Sequence, residues 1–248
     1  MSENTGVTVT RPQKRGNSSL CSLWFQSRFG LSVNRVPLLS HGSEGGEMTE
    51  SEWLTATDPM PMLEFLRARA SDRQLRLLAC ACWRVVLPFF GRWCREAVEI
   101  AEMYADGSST REDLLRAWQR TKKPPRTAAR YDGFHAARSA VHYAELYSSQ
   151  AQRSGAISPV PFPIAQTVLC DLFGNPFRPV AVAPEWLTSD VLALATGIYA
   201  EKAFDRLPVL ADALQDAGCN SDDLLNHLRS NGRHVRGCWA LDLVLGKS

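Results

Sequence analysis

Four side chains near the C-terminus, Cys219, His227, His234 and Cys238, are all of types that ligate zinc, and four such ligands make a closed structural site. Seven, six and three residues separate them in turn, a spacing that follows no standard zinc motif. His227 falls on an expected helix and His234 in an expected loop. The plain reading is two buried cysteines and two surface or capping histidines, with no metal and no cofactor. Cys80 and Cys82 sit within one expected helix, where side chains two apart diverge, so they read as core thiols.

A second set lies on a long alanine-rich segment. Tyr131, His135, Arg138, His142 and Glu145 follow one another at spacings of 4, 3, 4 and 3, which puts them on one helix face. Histidines there would supply acid–base groups near neutral pH. The amphipathic alternative is a polar solvent face opposite Phe134, Ala137, Val141 and Ala144. His135, Arg138 and His142 are kept as candidate binding residues. A third candidate is the string Phe173-Gly-Asn-Pro-Phe-Arg-Pro. Gly174 suits a helix end with positive φ, and the prolines pre-set an extended backbone. Phe173, Asn175, Phe177 and Arg178 would then form a ligand- or partner-binding edge; otherwise the string is a crossover whose aromatics plug the core. No catalytic residue is assigned. The phosphate-cradling glycine motifs, the paired-histidine zinc-protease motif and the serine nucleophile elbow are all absent from the sequence.

The elements that must position these groups read as helices. Thr49 with Glu52, Ser71 with Gln74 and Thr110 with Asp113 each have capping-box spacing. They open helices at Trp53, at Asp72–Leu87 and before Leu114. Trp93–Ala105 carries Ala97, Ile100, Ala101 and Tyr104 on one face, with Glu96, Glu99 and Glu102 toward another. Helices follow over 127–150, from Pro163 to Phe173, and over Trp186–Ala203, Asp205–Ala217 and Asp222–Leu228. Val235–Leu245 fits either a helix or a strand. Strand and helix signals do not alternate, so the fold class is all-α, an irregular multi-helix bundle of short helices. Residues 1–47 read as a disordered tail or a mis-called N-terminal extension, with Met48 as the start. Residues 48–248 read as one helical domain, with 151–163 as the place where it would divide into two subdomains. Eight identities at an offset of 133 relate residues 52–79 to 185–212, including Trp53 with Trp186 and Asp72-Arg73 with Asp205-Arg206. They raise the expectation of a duplicated helical hairpin against chance similarity.

Charge and cysteine use bound the partners. The net charge is +2, and residues 48–248 carry 23 basic and 23 acidic side chains, so the body lacks the basic excess of a nucleic-acid binder. Only residues 111–153 are locally basic, nine against four. Seven scattered cysteines fit thiols in a reducing cytoplasm rather than a disulfide framework. No segment reads as a membrane span.

The segments Met48-Thr-Glu-Ser-Glu-Trp-Leu, Ser71-Asp-Arg-Gln-Leu-Arg-Leu-Leu-Ala-Cys-Ala-Cys, Phe173-Gly-Asn-Pro-Phe-Arg-Pro and His234-Val-Arg-Gly-Cys-Trp together carry a resemblance. Over residues 48–248 the chain resembles an uncharacterised family of paralogous proteins of planctomycete bacteria. The resemblance implies a bacterial, cytoplasmic protein and brings no activity or site residue. The expected function is a non-enzymatic helical protein-interaction module or adaptor. The alternatives are a nucleic-acid-associated regulator using residues 111–153, and an enzyme without a sequence signature. A protein partner is expected; nucleic acid and membrane are not.

Overall fold

The computed structural model describes residues 47–87, 92–121, 132–153 and 164–247. The expectations for residues 1–46, for Tyr131 and for the proline-rich segment before Ile164 lie outside these. Eleven α-helices and no strand occur among the described residues: α1 (Glu50–Thr55), α2 (Pro59–Leu66), α3 (Asp72–Val86), α4 (Arg92–Ala105), α5 (Arg111–Arg120), α6 (Gly133–Arg153), α7 (Ile164–Phe173), α8 (Ser189–Glu201), α9 (Leu207–Asp216), α10 (Asp222–Arg229) and α11 (Trp239–Val244). The protein is mainly α. No described helix is long and apolar enough to cross a membrane.

Local chemistry sets the helix starts. All three capping boxes form: Thr49, Ser71 and Thr110 each accept the N–H three residues on, and Glu52, Gln74 and Asp113 accept from the cap backbone in return. Asp58 caps α2 through the Met60 N–H, and Pro59 occupies its first position, where no donor is lost. Within Val235–Leu245 only Trp239–Val244 is helix, with Cys238 at the N-cap of α11, and no strand forms there.

Two apolar clusters form the core. In the first, α3 packs against α4, α6 and α7. The facing side of α6 is Ala136, Ala137, Ala140 and Ala144, all fully buried, and small residues let the two backbones approach closely. Val168, Leu169 and Leu172 bring α7 into the same cluster. The second cluster comprises α8 to α11, with Leu207, Leu210, Leu214, Leu224, Leu228 and Leu241 fully buried. Helix α11 touches α7, which links the clusters.

Two expectations change. Glu102 does not lie on a solvent face with Glu99. It is buried and paired with Arg84 and with Lys202, the latter at 2.7 Å, because the inward face of α4 runs through Cys94, Ala97, Val98, Ala101 and Glu102. The paired segments 52–79 and 185–212 also differ. Trp53 lies inside α1, whereas Trp186 ends a single 3-10 turn, Pro184–Trp186. The next helix has 8 residues in the first segment and 13 in the second. Both tryptophans are buried. Arg73 is tied into a buried network, however, while Arg206 makes an exposed pair with Glu201.

Candidate functional site

Asp171 sits one turn from the end of α7, beside the buried Val168 and Leu172. His227 is in the last turn of α10. The chain leaves that helix at Ser230, loops through Gly232 and returns so that Cys238 caps α11. Gly237, at φ +91°, lets the return hug the core: a Cβ there would stand 2.7 Å from Leu77 Cδ1 and Leu172 Cδ2.

This path converges four donor atoms. His234 Nδ1 is 2.7 Å and His227 Nε2 is 3.2 Å from Asp171 Oδ1. His227 Nε2 is 3.2 Å and His234 Nδ1 is 3.8 Å from Cys238 Sγ. All four atoms lie within 4.8 Å of one another. Outer contacts hold these side chains in place. The Val235 N–H donates to Asp171 Oδ2 at 2.8 Å, and His234 Nε2 faces the Ser230 hydroxyl and carbonyl at 3.2 and 3.4 Å. The Trp239 ring lies 5.0 Å from that of His227.

The electrostatics are those of an enclosed polar cluster. Burial pushes the Asp171 carboxyl up, but hydrogen bonds from His227 and His234 outweigh it and leave the group below the usual carboxylate range. Burial lowers the His234 pKa, and Asp171 more than reverses this. Burial, with Asp171 nearby, raises the Cys238 thiol well above its ordinary value.

A second polar cluster lies beside the first. Arg73 from α3 binds Asp106 at 3.0 Å and Asp242 of α11 at 2.6 Å. The Tyr199 hydroxyl donates to Asp106 at 2.7 Å, and Arg236, between His234 and Cys238, binds Asp106 Oδ2 at 2.6 Å. Asp106 stays below the usual carboxylate range because Tyr199 and two arginines overcome its burial. At Asp242 burial, with the Asp106 charge nearby, outweighs its pairing with Arg73, and its pKa rises.

No protein-family model, curated protein or solved structure matches this chain.

Of the four zinc-type residues near the C-terminus, His227, His234 and Cys238 come together. Cys219 does not: it is buried in the second apolar cluster. Its place is taken by Asp171, which is 56 residues before His227 and fits no local spacing. The signal for it was a carboxylate next to the apolar face of α7. His234 is a buried ligand-type side chain, not a surface one, because the loop folds back over α7.

The other candidates stand apart. His135 is exposed and bound to Asp132 at 2.9 Å; Arg138 lies 4.0 Å from Glu64. His142 is half-buried, and burial lowers its pKa. Phe134, Ala137, Val141 and Ala144 are buried opposite them. The Phe173 loop is clamped onto α1 and α2. The Trp53 indole donates to the Gly174 carbonyl at 3.0 Å, and Asn175 Nδ2 donates to Glu50 at 2.7 Å. Arg178 pairs with Glu50 at 2.6 Å, and Phe177 stacks on Phe65 with ring centroids 5.2 Å apart.

Chemically, the Asp171 cluster has the residue types of a cysteine–histidine–acid nucleophile. A nucleophilic thiol must meet substrate and favour the thiolate. Cys238 is buried and burial raises its thiol, and neither favours a thiolate that meets substrate.

Proposed function

We propose that the protein is a non-enzymatic helical interaction module that works through its outer surface on a protein partner. The observation that carries this reading is the inward direction of its reactive groups. Asp106, Asp171, Glu102, Asp242 and Cys238 are all buried or nearly so, and each is held by side chains of another helix. Groups used in this way fix the helices relative to one another and leave recognition to the surface.

The nucleic-acid alternative is weaker. Among the described residues of the basic segment, Arg116 pairs with Asp113, Arg120 with Glu96, and Arg138 approaches Glu64. Arginines balanced by acids offer little excess charge to a phosphate backbone. Capture from native cytosol, followed by reassembly of the complex from purified components, tests the proposal. A protein partner that stays bound at raised salt supports it. Nucleic acid that co-purifies and is stripped by salt overturns it in favour of the alternative.

A further inference from the structure

We propose that Asp171 Oδ1, His227 Nε2, His234 Nδ1 and Cys238 Sγ bind one zinc ion in a closed structural centre that fastens the C-terminal segment to α7. The argument begins with size. Zinc holds nitrogen and oxygen at about 2.0–2.2 Å and sulfur at about 2.3 Å, so the corners of its tetrahedron stand about 3.3–3.6 Å apart. Four of the six separations, at 2.7, 3.2, 3.2 and 3.8 Å, straddle that range, and all six are within 4.8 Å, so the ion is admitted when the Asp171–His234 pair moves apart and the widest pair closes in.

Two of the ligands are also oriented from behind. The outer nitrogen of His234 faces the Ser230 carbonyl, and a proton donated there leaves the Nδ1 lone pair pointing at the centre. Asp171 uses Oδ2 for the Val235 N–H, which leaves Oδ1 as a single ligand atom. The charges close as well. A divalent ion, one carboxylate, one thiolate and two neutral imidazoles sum to zero, which suits a buried site.

The donor set selects the metal class. Calcium and magnesium require six or more oxygen ligands. One thiolate, two imidazoles and one carboxylate in four-coordination suit zinc. Four protein ligands leave no open position for a substrate, which makes the centre structural. The ion would hold α7, the end of α10 and the start of α11 together. It would also fix the turn that carries Arg236 to Asp106.

The test uses the untagged full chain, purified without added metal. About one zinc per chain is expected by elemental analysis. Cys238→Ser and His227→Gln should each reduce this more than tenfold, while Cys219→Ser and His135→Gln retain it. Protein stripped of metal and given cobalt(II) should show tetrahedral d–d bands and a thiolate-to-cobalt charge-transfer band, the latter lost in Cys238→Ser. The cobalt spectrum of the unaltered chain decides the matter even if a variant does not fold. A folded chain that carries no transition metal and shows no such bands overturns the proposal. So does zinc that persists in the Cys238→Ser/His227→Gln double variant.

Discussion

The molecule contains two pairs of histidines seven residues apart, and they have opposite fates. His135 and His142 lie within the unbroken helix α6. Seven residues of helix rise about 10.5 Å, so the two rings share a face without meeting. His227 and His234 have the same separation in sequence, but α10 ends between them and the chain folds back. Their rings come within 5.1 Å, and a carboxylate and a thiol join them. Spacing along a helix predicts which side chains share a surface. Convergence requires the chain to reverse: it leaves α10 at Ser230 and returns through Gly237 with its positive φ.

The sharpest way to break the contrast is to remove the group that unites the second pair. Asp171→Ala leaves His234 and the Val235 N–H buried without their acceptor. Losing one partner of a buried charged pair costs about 3–5 kcal/mol, so a large fall in Tm and in the denaturant midpoint is expected. A change under about 1 kcal/mol would show that the cluster does not hold the C-terminal segment.

Gly237→Ala tests the reversal itself. The substitution puts a Cβ on a left-handed backbone and 2.7 Å from two leucine methyls. Left-handed φ alone costs about 1–2 kcal/mol for an L-residue, and the leucine tips must also shift. A destabilisation of about 2 kcal/mol is expected, together with weaker metal retention, since His234 and Cys238 flank the glycine. The same change at Gly218 also meets positive φ but has nothing within 4 Å, so it isolates the backbone contribution.

These particulars show what could be read from the sequence. Helix starts were legible because a capping box is a local contract between residues three apart, and all three form. His227, His234 and Cys238 were legible as ligand types. Asp171 was not, because it arrives from another helix through tertiary packing. Nor was the Arg73–Asp106–Asp242 network, whose members are separated by 33 and by 169 residues. Glu102 was misplaced because three glutamates at three-residue spacing drift around a helix, and the last of them crosses onto the apolar side.

That drift makes the acids of α4 a second version of the comparison. Burial raises the Glu102 pKa, but Arg84 and Lys202 outweigh it and hold the group below its ordinary 4.5. The sign follows from linkage. A carboxyl with a lower pKa in the folded state contributes stability that is fully present above 4.5 and is lost as pH falls through the folded value. Stability measured downward from pH 5 should therefore fall more steeply in the unaltered chain than in Glu102→Gln. Parallel acid profiles for Glu102→Gln and the unaltered chain would show that the pairing contributes nothing.

The smallest expected effect belongs to the first histidine pair. His135 is exposed, and its partner Asp132 is more exposed still, with side-chain exposures of 52 and 63 %. Pairs of this kind are worth about 0–1 kcal/mol, because water screens them and ordering two side chains opposes the gain. His135→Ala should therefore change stability by less than about 0.5 kcal/mol. His142 is half-buried beside Tyr143, so His142→Ala should cost somewhat more through lost packing, without involving any metal. Both variants should keep the metal content of the unaltered chain. If His135→Ala instead abolished partner binding while Tm stayed put, the α6 stripe would be a recognition surface, and the exposed histidine would matter for what it meets outside the fold. If it lowered Tm by many degrees, the polar face of α6 would be holding structure after all, and the distinction between a shared face and a convergent site would fail at its simplest case.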